Sequence, residues 1–268
     1  MNPPLSARPA WWQWLTVLSL DAPAVAVTWQ ALWARMHEIP LRAHHYTLLA
    51  AGVWVVYAAD RWLEGFEIHP GAVSTQRHRF YQRNRLAVAV AIALVAAACG
   101  ALAVLRLTAA EWRMVAWVGS PVAAYLVVGA FLRRHSAGRI PKEACIAALF
   151  AQPRSLAAPL GWFAALCFIN LALIARWERG VDVAHGQHSM VSAHPRRARW
   201  IAALPWLGAI AAGLAAVAGL GGPQVVTACA AGSALLMGTL DRLEPQIGRQ
   251  RARALVDLAL LTPWLAMC

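Results

Sequence analysis

Charge is what this chain has least of. Only 13% of its 268 residues are Asp, Glu, Lys or Arg, against about 25% in soluble domains. With 60% of the residues hydrophobic, a soluble fold of this size has no room to hide its apolar surface. A bilayer removes that limit. Lysine is almost absent, since Lys142 is alone among 24 basic residues, and the arginine bias carries no function. The five cysteines (Cys99, Cys145, Cys167, Cys229 and Cys268) stand singly in apolar runs. No two have metal-ligand spacing, which excludes a zinc ribbon and points away from a disulfide framework. The apolar runs lack the polar/apolar alternation of a barrel strand. The opening MNPPLSARPAWWQW lacks the basic start and small-residue cleavage site of a signal peptide, so the first helix is expected to be retained.

What is present is a series of long apolar segments rich in Ala, Leu and Trp. They predict an all-α, multi-pass membrane helix bundle of about nine transmembrane helices, one domain over 1–268. Helices are expected at about 20–36, 43–62, 86–105, 113–132, 144–153, 156–176, 200–218, 224–240 and 252–267. The fifth is the weak one, only ten uncharged residues long. The run 200–240 is too long for one span, and Gly219-Leu-Gly-Gly-Pro223 breaks it into a hairpin.

The positive-inside rule tests the count. With the N-terminus cytoplasmic and nine crossings, nineteen basic residues fall inside and five (Arg35, Arg42, Arg106, Arg113 and Arg154) outside. If 144–153 does not cross, the bias vanishes, so it is expected to cross. The net charge of +12 is explained by this placement, so nucleic acid is not expected as a partner. The basic inner face suits anionic lipid or an anionic substrate, and HRFYQRNR at 78–85 is a basic, aromatic part of it.

Of the twelve carboxylates, eight lie at or near the inner face: Asp60, Glu64, Glu67, Glu143, Glu178, Asp182, Asp241 and Glu244. Asp60 and Glu64 are four apart at one helix end, as are Glu178 and Asp182 at another. Residues i and i+4 share a helix face, so each pair can present two carboxylates to one point. Two facing pairs would make an oxygen-rich site of the kind magnesium takes together with substrate phosphate. The plainer account is ordinary helix-end charge, neutralised by Arg61 or Arg179. Asp257 is expected to pair with Arg253 or to sit among headgroups, leaving no acid central in a span. His185, His188 and His194 share a loop and read as solvated rather than metal-binding. His44 and His45 fall on the outer face. Trp54, Trp162, Trp206 and Trp264 could line a channel, though packing is the commoner role.

The pattern resembles the UbiA superfamily of membrane prenyltransferases, by topology more than by identity. LSLDAPAV at 18–25 is similar to the family's first helix. YAADRWLE at 57–64 resembles its first acidic motif, with Tyr57 in place of the leading aspartate and Val56 in place of asparagine. IPKEACIAALFA at 140–151 resembles its basic loop, and NLALIARWERGVD at 170–182 its second acidic motif. The YxxDR form resembles that of an uncharacterised bacterial branch.

The resemblance implies a UbiA-like nine-helix bundle in the bacterial inner membrane. It implies transfer of an isoprenoid chain from a prenyl diphosphate to a lipid-soluble or aromatic acceptor. Asp60, Glu64, Glu178 and Asp182 would hold Mg2+. Tyr57 would face the forming cation. Arg61, Arg79, Arg139, Lys142 and Asn170 would bind substrate. A non-catalytic relative, a scaffold or lipid-binding protein, is the alternative that the missing aspartate favours. Acids at one face rather than the midplane weigh against a transporter.

Overall fold

The computed structural model describes residues 9–66, 76–117, 119–120, 154–184 and 197–268. Among them every regular element is a helix. These are α1 (Gln13–Val17), α2 (Asp21–Met36), α3 (Ala43–Glu64), α4 (Gln76–Arg83), α5 (Arg85–Arg106), α6 (109–117), α7 (Arg154–Ala184), α8 (Arg197–Ala218), α9 (Gln224–Ile247), α10 (Arg249–Leu258) and α11 (Thr262–Met267). A 3-10 turn, Ala259–Leu261, joins the last two. Three helical stretches are long and apolar enough to cross a membrane: Arg85–Arg106, Leu160–Arg179 and Arg199–Ala218. Their outer surfaces carry Leu94, Val104, Leu105, Ile210, Leu214 and Val217, all exposed. An apolar face turned outward is what a lipid-facing helix presents. The expected span at 144–153, and most of that at 113–132, lie outside the described residues.

The chain divides into two compact units: 1–27 with 41–116, and 28–40 with 117–268. In the first, α3 and α5 pack along each other and α4 packs against both. Ala58, Tyr81 and Val88 form its core, with Trp54, Trp62, Phe80 and Ile92 packed around them. Two indoles act as struts: Trp54 Nε1 donates to the Leu18 carbonyl and Trp62 Nε1 to that of Arg85, each at 3.0 Å. Sequence periodicity did not reveal α4, because QRHRFYQR is too polar to read as a packed helix.

In the same unit, Thr108 and Glu111 start α6. The Thr108 N–H and hydroxyl both donate to Glu111 Oε2 at 2.7 Å, and the Glu111 N–H faces the Thr108 hydroxyl at 3.4 Å. This reciprocal cap satisfies donors that a helix start leaves open. His45 completes it. Its Nδ1 accepts the Arg42 N–H at 2.9 Å and its Nε2 lies 2.8 Å from Glu111 Oε1. These bonds hold the Glu111 carboxyl at about 2, Thr108 contributing most.

In the second unit, α8 and α9 form a tight hairpin, and α9 also packs on α7, α10 and α11. The expected break falls at Gly219–Pro223. Gly219, Gly221 and Gly222 all have positive φ, which glycine alone adopts freely. The turn is pinned from outside by Trp162 Nε1, 3.2 Å from the Gly221 carbonyl. A Cβ on Gly221 would lie 2.7 Å from that nitrogen. Aromatic packing continues with Trp29, Trp33 and Phe163, whose three rings touch pairwise at centroid distances of 5.3–6.0 Å.

The last expected helix, 252–267, differs from expectation. Helix starts earlier, at Arg249 after Gly248 (φ 85°), and the ladder tightens to 3-10 at Ala259–Leu261 before Pro263 opens α11. Proline at the first turn of a helix has no N–H to contribute, so a new start there costs little.

Candidate functional site

In the first unit, α3 runs unbroken to Glu64, so Asp60 and Glu64 ride one helix a turn apart. Asp60 is buried, at 9% exposure. The Glu64 side chain lies outside the described part. Tyr57, one turn before Asp60, is 42% exposed. Arg61 is half-buried and Arg79 is exposed on α4. Arg139 and Lys142 fall outside the described residues.

The same unit buries further polar groups: Ser19, Arg77 and Tyr81. The Ser19 and Tyr81 hydroxyls are 3.2 Å apart. Burial pushes the Tyr81 phenol up, partly offset by Ser19 and by the charges of Arg61 and Arg77. Ser19 has φ 55°, uncommon for a residue with a Cβ. It sits within LSLDAPAV, the stretch that resembles the family's first helix. Neither Arg77 nor Tyr81 was singled out individually from the sequence; Tyr81 lies within the basic, aromatic run 78–85 and Arg77 just before it.

In the second unit, α7 continues eight residues past the expected end at 176, to Ala184. Glu178 and Asp182 therefore ride one helix as well. The Asp182 side chain lies outside the described part. Glu178 accepts a hydrogen bond from Arg253 Nη1 of α10, not from the neighbouring arginine the sequence suggested. Next to it, Arg176 Nη1 donates to Asp241 Oδ1 of α9, and Trp177 Nε1 donates to the same oxygen at 2.8 Å. Asp241 had been read only as helix-end charge. Trp206, read from the sequence as packing more readily than channel lining, lies under the Arg242 guanidinium at 4.3 Å.

Asn170, assigned above to substrate, is buried and donates from Nδ2 to Asp257 Oδ1 at 2.8 Å. Asn170 lies within the apolar helical stretch Leu160–Arg179. Two acids of the expected metal set belong to one unit and two to the other, and among the described residues no three His, Cys, Asp or Glu side chains gather.

Compared with known proteins, the chain matches no family model, no curated protein and no solved structure.

Proposed function

We propose that the protein is an intramembrane prenyltransferase of UbiA-like architecture. It moves an isoprenoid chain from a prenyl diphosphate to a lipid-soluble or aromatic acceptor at the cytoplasmic face of a bacterial inner membrane. The observation that carries this reading is helix continuity. Both α3 and α7 stay helical through their acidic pairs, so Asp60/Glu64 and Glu178/Asp182 each keep one-turn spacing.

The donor set suits magnesium by chemistry: oxygen ligands only, which a hard cation prefers, beside arginines that suit diphosphate. Asp60, Glu64, Glu178 and Asp182 would hold the ion, which when bound offsets the charge of the departing diphosphate. Glu178 brings less than its full charge because Arg253 already shares it. Arg61, Arg79, Arg139 and Lys142 donate to phosphate oxygens. The Tyr57 ring, exposed one turn before Asp60, offers its π face to the allylic cation. The isoprenoid tail, apolar throughout, lies along the apolar helices.

The second reading is a non-catalytic membrane relative that scaffolds or binds lipid. The Arg253–Glu178 and Arg176–Asp241 pairs favour it, because acids consumed internally are what a retired site would show. Incubating the purified full chain with labelled prenyl diphosphates and a panel of acceptors, with and without magnesium, separates the two. The transferase reading expects magnesium-dependent release of pyrophosphate and a prenylated product. Tight lipid binding with no turnover on any pair supports the non-catalytic one.

A further inference from the structure

The corner between α4 and α5 joins positive charge to an exposed apolar stripe. α5 is a candidate membrane span of 22 residues. At 1.5 Å per residue it is about 33 Å long, enough to cross a hydrocarbon core about 30 Å thick. Arg85 is its first residue, so Arg85 and the end of α4 stand at the level of the lipid headgroups. With eight residues, α4 is too short to cross and belongs at that surface. Arg77 and Tyr81 occupy its buried face, while Arg79 and Arg83 are exposed on the opposite one, each pair one turn apart. From Gln76 to Arg85 the chain carries four arginines and no acid.

The corner is held in place from several directions. Asn84 separates the two helices and its Nδ2 donates to the Phe80 carbonyl at 2.9 Å. The Gly65 carbonyl, just past the end of α3, accepts from Gln82 Nε2 at 3.2 Å and from Arg85 Nη2 at 2.8 Å. The Arg85 guanidinium lies over the Phe66 ring at 4.5 Å. Trp14 of α1 meets Phe80 edge-on at 5.9 Å, and Phe80 is one turn from Arg83. Trp11, Trp14 and Leu15 are exposed, and tryptophan favours the headgroup layer. Next to Arg85 begins a row of exposed apolar side chains, Leu86, Val90 and Leu94, four residues apart along one face of α5.

We propose that this corner binds an anionic phospholipid. Arg83 and Arg85 take the headgroup phosphate, and the row Leu86, Val90 and Leu94 takes an acyl chain. A guanidinium has five N–H donors, so the bond from Arg85 to Gly65 leaves others for phosphate oxygens. The pairing of charge with the apolar row selects the occupant. Free phosphate or a nucleic acid would match the arginines and leave the row uncovered. A neutral lipid would cover the row without answering the charge, whereas an anionic surface attracts each arginine near it. The proposal stands apart from the transferase reading. Arg79, assigned there to substrate, is not needed, and neither Arg83, Arg85 nor Trp14 belongs to the acidic pairs.

Native mass spectrometry of the full chain, titrated with phosphatidylglycerol or with phosphatidylcholine of the same acyl chains, tests the site. The parent should bind phosphatidylglycerol more tightly. Arg83→Gln should weaken that binding about fivefold, the weight of one arginine at an anionic surface, and leave phosphatidylcholine unchanged. Arg83→Lys, which keeps the charge, should restore most of the affinity. Arg251→Gln removes an exposed arginine of the other unit and should change neither lipid. Phosphatidylglycerol brominated on its acyl chains should quench the tryptophan fluorescence of the parent more than that of Trp14→Phe. Equal affinity for the two lipids, an Arg83→Gln protein that binds phosphatidylglycerol as tightly as the parent, or displacement of the lipid by an oligonucleotide would overturn the proposal.

Discussion

The Arg253 guanidinium donates to the Glu178 carboxylate and ties α10 to the end of α7. Both side chains are largely buried. A pair of this kind adds little over an apolar replacement, but removing one partner strands the other charge. Arg253→Met should therefore lower stability, toward the lower end of about 3–5 kcal/mol given the residual exposure. Adding Glu178→Gln should recover most of the loss. Thermal unfolding in detergent, followed by tryptophan fluorescence, measures both. Equal stability of Arg253→Met and the parent would show that the pair holds nothing.

The Thr108–Glu111 cap predicts a pH window. Thr108 and His45 lower the Glu111 carboxyl from 4.5 to about 2. A depressed carboxylate stabilises the fold above its unfolded value and loses that contribution as pH falls through its folded value. The thermal midpoint of Glu111→Gln should therefore lie below that of the parent at pH 6. The gap should narrow as pH drops from 4.5 toward 2. A gap that widens on acidification contradicts the cap.

Two glycines of the α8–α9 hairpin should respond oppositely to alanine. At Gly221, φ of 79° and the Trp162 nitrogen 2.7 Å from a Cβ both oppose it, and Gly221→Ala should cost about 1–3 kcal/mol. Gly213 lies within α8 with nothing within 4 Å of its Cβ position, so Gly213→Ala should be neutral or gain up to about 1 kcal/mol. Urea or thermal midpoints of the two variants decide it.

Much of the helical framework was legible because its signals are local. The break at Gly219–Pro223 showed itself through glycine density, and the spans 86–105 and 200–218 through unbroken apolar runs. The polar contacts were not legible. Asn170 and Asp257 are 87 residues apart, and Arg176 and Asp241 are 65 apart. Nothing in spacing along the chain couples them. Glu178 was matched to the arginine beside it because adjacency is all a sequence offers, whereas α10 brings Arg253 across.

The nine-crossing reading, with nineteen basic residues inside and five outside, makes a prediction of topology. A reporter placed in the Gly219–Pro223 turn, or fused after Cys268, should read as periplasmic, and one fused at the N-terminus as cytoplasmic. A cytoplasmic reading after Cys268 would refute the nine-crossing count.

The acidic pairs make the central claim, and magnesium-dependent binding of a prenyl diphosphate to the purified full chain tests it most directly. Calorimetry on the parent, Asp60→Asn and Glu67→Gln compares an acid of the pair with one outside it. The account predicts binding that requires magnesium, weakened about tenfold or more in Asp60→Asn, the scale of one charged contact, and little changed in Glu67→Gln. Binding that ignores magnesium, or an Asp60→Asn protein that binds as well as the parent, would contradict it.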